Sequence, residues 1–356
     1  MFAMSLSVNN NEWFSNLIYL SSRWLKKADN THSIQSRTKF VINCFLKYVD
    51  SLPESSFDSI GLTNEFVSNT ITSIRDRLIE LLDKYFDGNI IDAIYIAADL
   101  LKKVPITKIT DRYTFFRARG NKTGFLYNTE EMFHIPYELR HKIKNQRYSV
   151  SGLPCLYLGS STYICWEEIE RPDFQTCNYC ALYSRYAINV YDLRIPKSIE
   201  STDDIYRVCL ALASSLKSNS EHDFKLEYVI PQCLLQSIIT DPTTAHDGVG
   251  ICYYSVHFLY EDTSLFFIDY NNETIVSRFY NVAIPAQHPQ AKGVSPLLRN
   301  QFYQTTSTSM MHQYLLNLNS NSKLGEINTI DFYPWSQFGI LEEHLTFLME
   351  KITKYC

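Results

Sequence analysis

The feature that most limits the fold is a change of period near residue 110. Over the first hundred residues, apolar side chains recur at helical spacing in four successive stripes. Trp13, Phe14, Leu17, Ile18, Trp24 and Leu25 form the first, and Phe40, Val41, Cys44, Phe45 and Tyr48 the second. Phe66, Val67, Ile71, Ile74, Leu78, Leu81 and Leu82 form a longer third stripe, opening after Thr63, a side chain suited to N-capping. A fourth starts near Asn89, carries Asp92 in its first turn, and runs to about Lys103 before Val104-Pro105 stops it.

Beyond Thr110 short β-forming segments take over: RYTFFRAR, LPCLYLG and ALYSRYAINVYDL, then VGICYYSVHFLY, SLFFIDY and IVSRFYNVAIP. Short helices are predicted between them over 162–170, 203–217 and 232–239. No Gly-rich phosphate loop follows a strand, which argues against a dinucleotide-binding doubly wound sheet. Residues 287–328 are polar, apart from one helix suggested by SMMHQYLLNL, and SQFGILEEHLTFLMEKI reads as a final amphipathic helix. The expected class is α+β. An all-helical N-terminal region spans 1–110, a core of short strands and helices spans 111–285, and an extension with a helical tail packs on the core over 286–356.

Composition narrows the function classes. With 45% apolar and 20% charged residues the chain can bury a large core. Its net charge is −5, without a basic block, so no nucleic-acid grip is indicated. Of nine cysteines only Cys177 and Cys180 stand close together, and no second ligand pair completes a zinc site. They read as ordinary reduced thiols, with no metal. The start MFAMSLSVNNNEW lacks the charged and apolar regions of a signal peptide, and no uncharged apolar run reaches membrane-spanning length. The expectation is a soluble cytoplasmic protein without a membrane partner.

The segment NQRYSVSGLPCLYLGSSTYICWEE carries the densest set of chemistry-bearing residues. On a helical wheel with Ile164 at the origin, Cys165 falls near 100° and Glu168 at about 40°, within the apolar arc. Glu167 and Glu170 fall at about 300° and 240°, which reads as a solvated face. An inward acid is either one half of a structural ion pair or a site carboxylate. Arg117 and Arg119 alternate with Phe116 and Ala118, so they share one face of a strand. Arg147 stands in a polar turn. Each arginine is either an ordinary surface charge or a fork suited to diphosphate. Ser255 is placed in a strand with Tyr253 and His257 on its face. No Gly-x-Ser-x-Gly elbow accompanies it, so it does not read as a hydrolase nucleophile.

Taken in order, FFRAR, MFHIP, RYSVSGLPCLYLGSS…CWEE, IPQ and GICYYS resemble the RES family, named for Arg, Glu and Ser. The resemblance spans roughly 111–285. It implies a fold related to ADP-ribosyltransferases and an activity that degrades NAD+ by phosphorolysis or hydrolysis, in a toxin or defence effector. Carried over by position, Arg117 matches the early aromatic-Arg motif. Arg147 matches the turn arginine, although Gln146 replaces the family's glycine. Tyr157 matches the strand tyrosine, Glu168 the acid and Ser255 the late serine.

The resemblance implies that Glu168, Arg147 and Ser255 form the catalytic set. Glu168 would stabilise the oxocarbenium-like ribose, and Ser255 would hydrogen-bond rather than attack. Arg117 and Tyr157 would bind substrate, with Arg119 and His134 in second rank. NAD+ would be the substrate and inorganic phosphate a co-substrate, with no bound cofactor. An antitoxin or inhibitory partner, or a homo-oligomer, would restrain the activity. Two alternatives stay open: a protein mono-ADP-ribosyltransferase with the same fold, and a non-catalytic NAD+-binding regulator.

Overall fold

The computed structural model describes residues 10–28, 33–121, 125–173, 177–196, 199–219, 222–244, 248–260, 279–287, 292–309 and 336–354. The chain divides into two compact units. One comprises 1–105, 193–234 and 259–271, and the other 106–192, 235–258 and 272–356. The first unit thus takes in a segment, 193–234, from the middle of the region read as core, and the sheet unit includes the C-terminal residues.

In the helical unit the four stripes fold as α1 (Asn10–Ala28), α2 (Ile34–Asp50), α3 (Asn64–Phe86) and α4 (Ile90–Leu101). The caps follow the chemistry expected of hydroxyl side chains: Ser33 Oγ accepts from Ser36 N, and Thr63 Oγ1 accepts from Phe66 N. Val67, Ile71, Ile74, Leu78, Leu81 and Leu82 of α3 are all buried, so the third stripe is a core seam. A later helix, α6 (Thr202–Ser214), packs on α2 and α3. Arg37 of α2 pairs with the buried Glu227 carboxylate and donates to Lys217 O at 2.7 Å.

The second unit is built on a sheet of mixed direction, with strand order β1-β5-β6-β7-β3-β2-β4-β8 and β9 paired to β4. The strands are β1 (Ile106–Ile109), β2 (Thr114–Gly120), β3 (Cys155–Gly159), β4 (Cys177–Ser184), β5 (Ile188–Asp192), β6 (Gly250–Tyr254), β7 (Tyr280–Pro285), β8 (Phe302–Gln304) and β9 (Thr308–Ser309). Among the described strand pairs only β5–β6 is parallel. The class is α+β, with N-terminal helices and a C-terminal helix as expected. The segment read as one strand over 181–193 divides between β4 and β5 around the bend at Arg185–Tyr186. SLFFIDY and most of SMMHQYLLNL lie outside the described residues.

Short helices complete this unit: α5 (Thr162–Glu168), α8 (Val256–Tyr260), α9 (Pro296–Gln301) and α10 (Gln337–Thr353). The helix α7 (Val229–Thr240) precedes β6. One sheet face buries Phe116, Cys177, Tyr179 and Ala181 against Cys165 of α5 and Leu341, Leu345 and Met349 of α10. Alternation puts Arg117 and Cys180 on the other face, where they stand opposite each other across β2 and β4. Cys177 and Cys180 therefore point to opposite sides of one strand and cannot share a metal ion. Burial pushes their thiols up to about 11 and about 12. Among the described residues no cluster suited to a metal occurs, and no helix is long and apolar enough to cross a membrane.

Candidate functional site

One row of residues crosses the sheet in register: Tyr253 on β6 faces Asn281 on β7, which faces Gly159 at the end of β3, which faces Phe116 on β2. Gly159 is there because α5 comes down directly on it. A Cβ at this position would stand 2.6 Å from Cys165 Sγ and 3.2 Å from Ser161 O. The turn between β3 and α5 is held by its serines. Ser160 Oγ accepts from Tyr280 N, and Ser161 Oγ caps α5 by accepting from Ile164 N. The Glu342 carboxylate of α10 accepts from Thr162 N at 2.7 Å, a favourable place for an anion at a helix start. Gly159→Ala should therefore cost about 1–3 kcal/mol by overpacking. Urea denaturation measures this, and adding Cys165→Ala should recover part of the loss.

The two adjacent acids fall the other way round from the wheel. Glu167 is buried, and its Oε2 accepts from Arg171 Nε at 2.8 Å, whereas Glu168 is exposed. The wheel treats α5 as continuing to Glu170, but the helix stops at Glu168. Glu170 and Arg171 take left-handed backbone angles (φ 65° and 50°), and the chain folds Arg171 back over Glu167 and the Trp166 ring. A helical residue is covered by side chains of the following turn, and Glu168 has no following turn. Its carboxylate is held from the sheet instead: Asn281 Nδ2 donates to Glu168 Oε1 at 2.9 Å. Asn281 is buried and in the row just described.

Tyr253 is the hub of the surrounding groups. Burial raises its phenol well above the usual range, the nearby Glu168 charge raises it further, and Arg147 opposes the rise. The Tyr148 ring lies against it, with centroids 4.5 Å apart. Tyr157 donates from its hydroxyl to Tyr148 O at 2.7 Å, and burial likewise keeps its phenol protonated. Arg117 Nη1 donates to Tyr157 O at 2.8 Å. The ladder between β2 and β3 is a single pair, Phe116 with Gly159, so Tyr157 O is open to a side chain. Of the five residues expected from the sequence, Arg147, Tyr157 and Glu168 thus stand about Tyr253, Ser255 follows just past the end of the same strand, and Arg117, on the sheet face opposite α5, joins through the Tyr157 carbonyl.

Two atoms of this set are buried without a hydrogen-bond partner among the described residues: Arg117 Nε and Ser255 Oγ. Ser255 departs from the expected strand. β6 ends at Tyr254, Ser255 N donates to Phe279 O, and α8 begins at Val256, which carries the exposed His257 away from the strand face. Arg119 and His134 are engaged elsewhere. Arg119 Nη1 donates to Glu131 O and its guanidinium stacks on Tyr127 at 4.3 Å. The His134 ring is fully buried between two backbone groups, Nε2 accepting from Ser295 N and Nδ1 donating to Ile135 O.

Comparison with known proteins gives one curated relative. The chain is 30% identical over 297 residues to "Putative toxin YopC" of Bacillus subtilis (strain 168). It is similar to a protein named as a toxin. The match covers 74% of this chain and 63% of the relative, so the chain spans less than two thirds of that protein's length. No family model matches the chain, and no solved structure matches it.

Sequence reasoning missed Asn281, Tyr148 and Tyr253 as members of this set. Asn281 did leave a signal. It is the one amide in FYNVAIP, a strand otherwise apolar or aromatic, and a lone polar side chain in a buried strand requires a partner. The Tyr253 and Tyr148 contribution had none, because aromatics are common throughout this chain and only the fold says which of them meet.

Proposed function

We propose that this chain is a toxin that destroys NAD+ by breaking its nicotinamide–ribose bond. The observation that carries the reading is an exposed carboxylate, Glu168, fixed by the buried amide of Asn281 beside a protonated tyrosine and Arg147. Similarity to a protein named as a toxin supports the biological role, and the RES resemblance supports the chemistry.

Cleavage sends the electron pair of the C1″–N bond to nicotinamide, which leaves neutral, while positive charge develops on the ribose. A fixed carboxylate against that sugar stabilises the charge without moving, as preorganised electrostatic groups do. In phosphorolysis an oxygen of hydrogen phosphate forms the new bond to C1″, giving ADP-ribose 1″-phosphate. In hydrolysis water forms it and releases a proton. Arg147 and Arg117 supply the cationic forks for diphosphate or phosphate, and the unpaired Ser255 hydroxyl supplies one further hydrogen bond. Uncontrolled loss of NAD+ would harm the producing cell, so an antitoxin or other inhibitory partner belongs to this reading.

Purified protein incubated with NAD+ should release nicotinamide. The co-product should be ADP-ribose 1″-phosphate if turnover requires added phosphate, and ADP-ribose if it does not. Label from adenine-tritiated NAD+ retained on a protein would assign the transferase alternative. Intact NAD+ in every condition would reject an NAD+-consuming function.

A further inference from the structure

We infer that Glu342, in the C-terminal helix α10, is a positioning residue for the carboxylate of Glu168. The inference rests on the NAD+-cleaving reading above, and it extends the working part of the chain beyond 285, where the family resemblance ends. α5 has seven residues, too few to hold a helix by its own hydrogen bonds, so its place on the sheet is set by what packs against it. Glu168 is its last residue, and whatever tilts α5 moves that acid.

Beyond the Ser161 cap, the first turn of α5 is tied to α10. Thr162 N donates to Glu342 Oε1 at 2.7 Å, and Thr162 Oγ1 donates to Phe338 O at 3.2 Å. The Phe338 ring stands edge-on to Tyr163 with centroids 5.2 Å apart, and 5.5 Å from the Trp166 ring. Leu341, Leu345 and Met349 pack with Cys165. These apolar contacts press the helix onto the sheet but are not directional, whereas the bond to the Glu342 carboxylate is directional and charge-assisted. Cys165 is seated on Gly159 midway between Thr162 and Glu168, so α5 can rock about it. Each end stands about 4.5 Å from that pivot at about 1.5 Å per residue, so a shift at Thr162 is passed to Glu168 at about full size. A misplacement of about 1 Å is enough to cost about a hundredfold in rate. Asn281 thus holds the acid from the sheet side, and Glu342 holds the far end of the helix that carries it.

Two measurements on the full chain test this, one without NAD+ and one with it. Glu342→Ala should speed hydrogen exchange over 162–168 about tenfold or more, since Thr162 N loses its acceptor. The same variant should lower kcat for nicotinamide release about tenfold or more, with KM within about twofold, because Glu168 acts on charge that develops only in the transition state. Glu342→Gln keeps an acceptor oxygen for Thr162 N and should keep kcat within about threefold of wild type. Glu343→Ala, at the exposed neighbour, should change neither quantity. Unchanged exchange in Glu342→Ala would overturn the inference whatever the reaction proves to be. Faster exchange with full kcat would reduce Glu342 to a structural cap and leave the NAD+ reading standing. Equal loss of kcat in Glu342→Gln and Glu342→Ala would also overturn it, since the acceptor alone would not restore the acid. A wild type that leaves NAD+ intact would reject the reading and this inference together.

Discussion

Glu168→Gln should lower NAD+ turnover by about two to three orders of magnitude while leaving stability unchanged, and Glu167→Gln should do the opposite. The two acids are adjacent, so the contrast isolates position rather than local composition. Glu168 is exposed, and its carboxylate accepts from a neutral amide donor, Asn281 Nδ2, from which a glutamine oxygen can still accept. Neutralising it removes a charge from where the ribose cation forms and costs the fold little. Glu167 is 2% exposed and ion-paired with Arg171. It also lies beside Tyr163, whose phenol is raised first by burial and then by this carboxylate. Its neutralisation should lower the unfolding free energy by about 1.5–3 kcal/mol, the range for a hydrogen bond to a charged group. Nicotinamide release and urea denaturation of both variants give the comparison. Equal loss of activity in both, or full turnover in Glu168→Gln, would remove Glu168 from the chemistry.

How far the site could be read from the sequence depends on how local the determining contacts are. The helices of the first unit were legible because caps and stripes are short-range. Thr63 caps Phe66, and α3 buries the positions its spacing names apart from Phe66 itself, which stays exposed in the first turn. The final helix α10 was legible for the same reason. The orientation of Glu167 and Glu168 was not, because a wheel presumes that the helix continues, and α5 ends where the two acids stand. What decides their exposure is the left-handed backbone at Glu170 and Arg171, and neither residue is the glycine that would announce it. The row Tyr253–Asn281–Gly159–Phe116 joins strands whose paired residues stand up to 122 positions apart, 281 against 159, and register between distant strands leaves no local trace. Single residues such as Arg147 could be nominated by resemblance, but the hub they surround, Tyr253, emerges only from the strand pairing.

His134 shows the reverse case, a residue with site-like chemistry that the fold turns to structural use, and it makes the second large effect testable by pH. Burial lowers its imidazole from an ordinary 6.5 to about 4, with the Arg117 charge lowering it further against the hydrogen bond to Ile135 O. The folded state therefore keeps the ring neutral while the unfolded chain protonates it first. Above pH 6.5 the stabilisation is fully present. It is lost as pH falls from 6.5 toward about 4, and it levels off below that. That depression corresponds to about 3 kcal/mol over the window. Carboxylates also titrate at its lower end, so the signal is the difference from His134→Gln, which keeps an acceptor for Ser295 N but cannot take up a proton. Denaturation midpoints for wild type should fall more steeply between about pH 6.5 and pH 5 than those of the variant. Parallel profiles would show that His134 does not titrate as a buried neutral ring. The KM for NAD+ should be the same in both proteins at neutral pH, because neither ring nitrogen is left to meet a substrate. A raised KM would return His134 to the binding site.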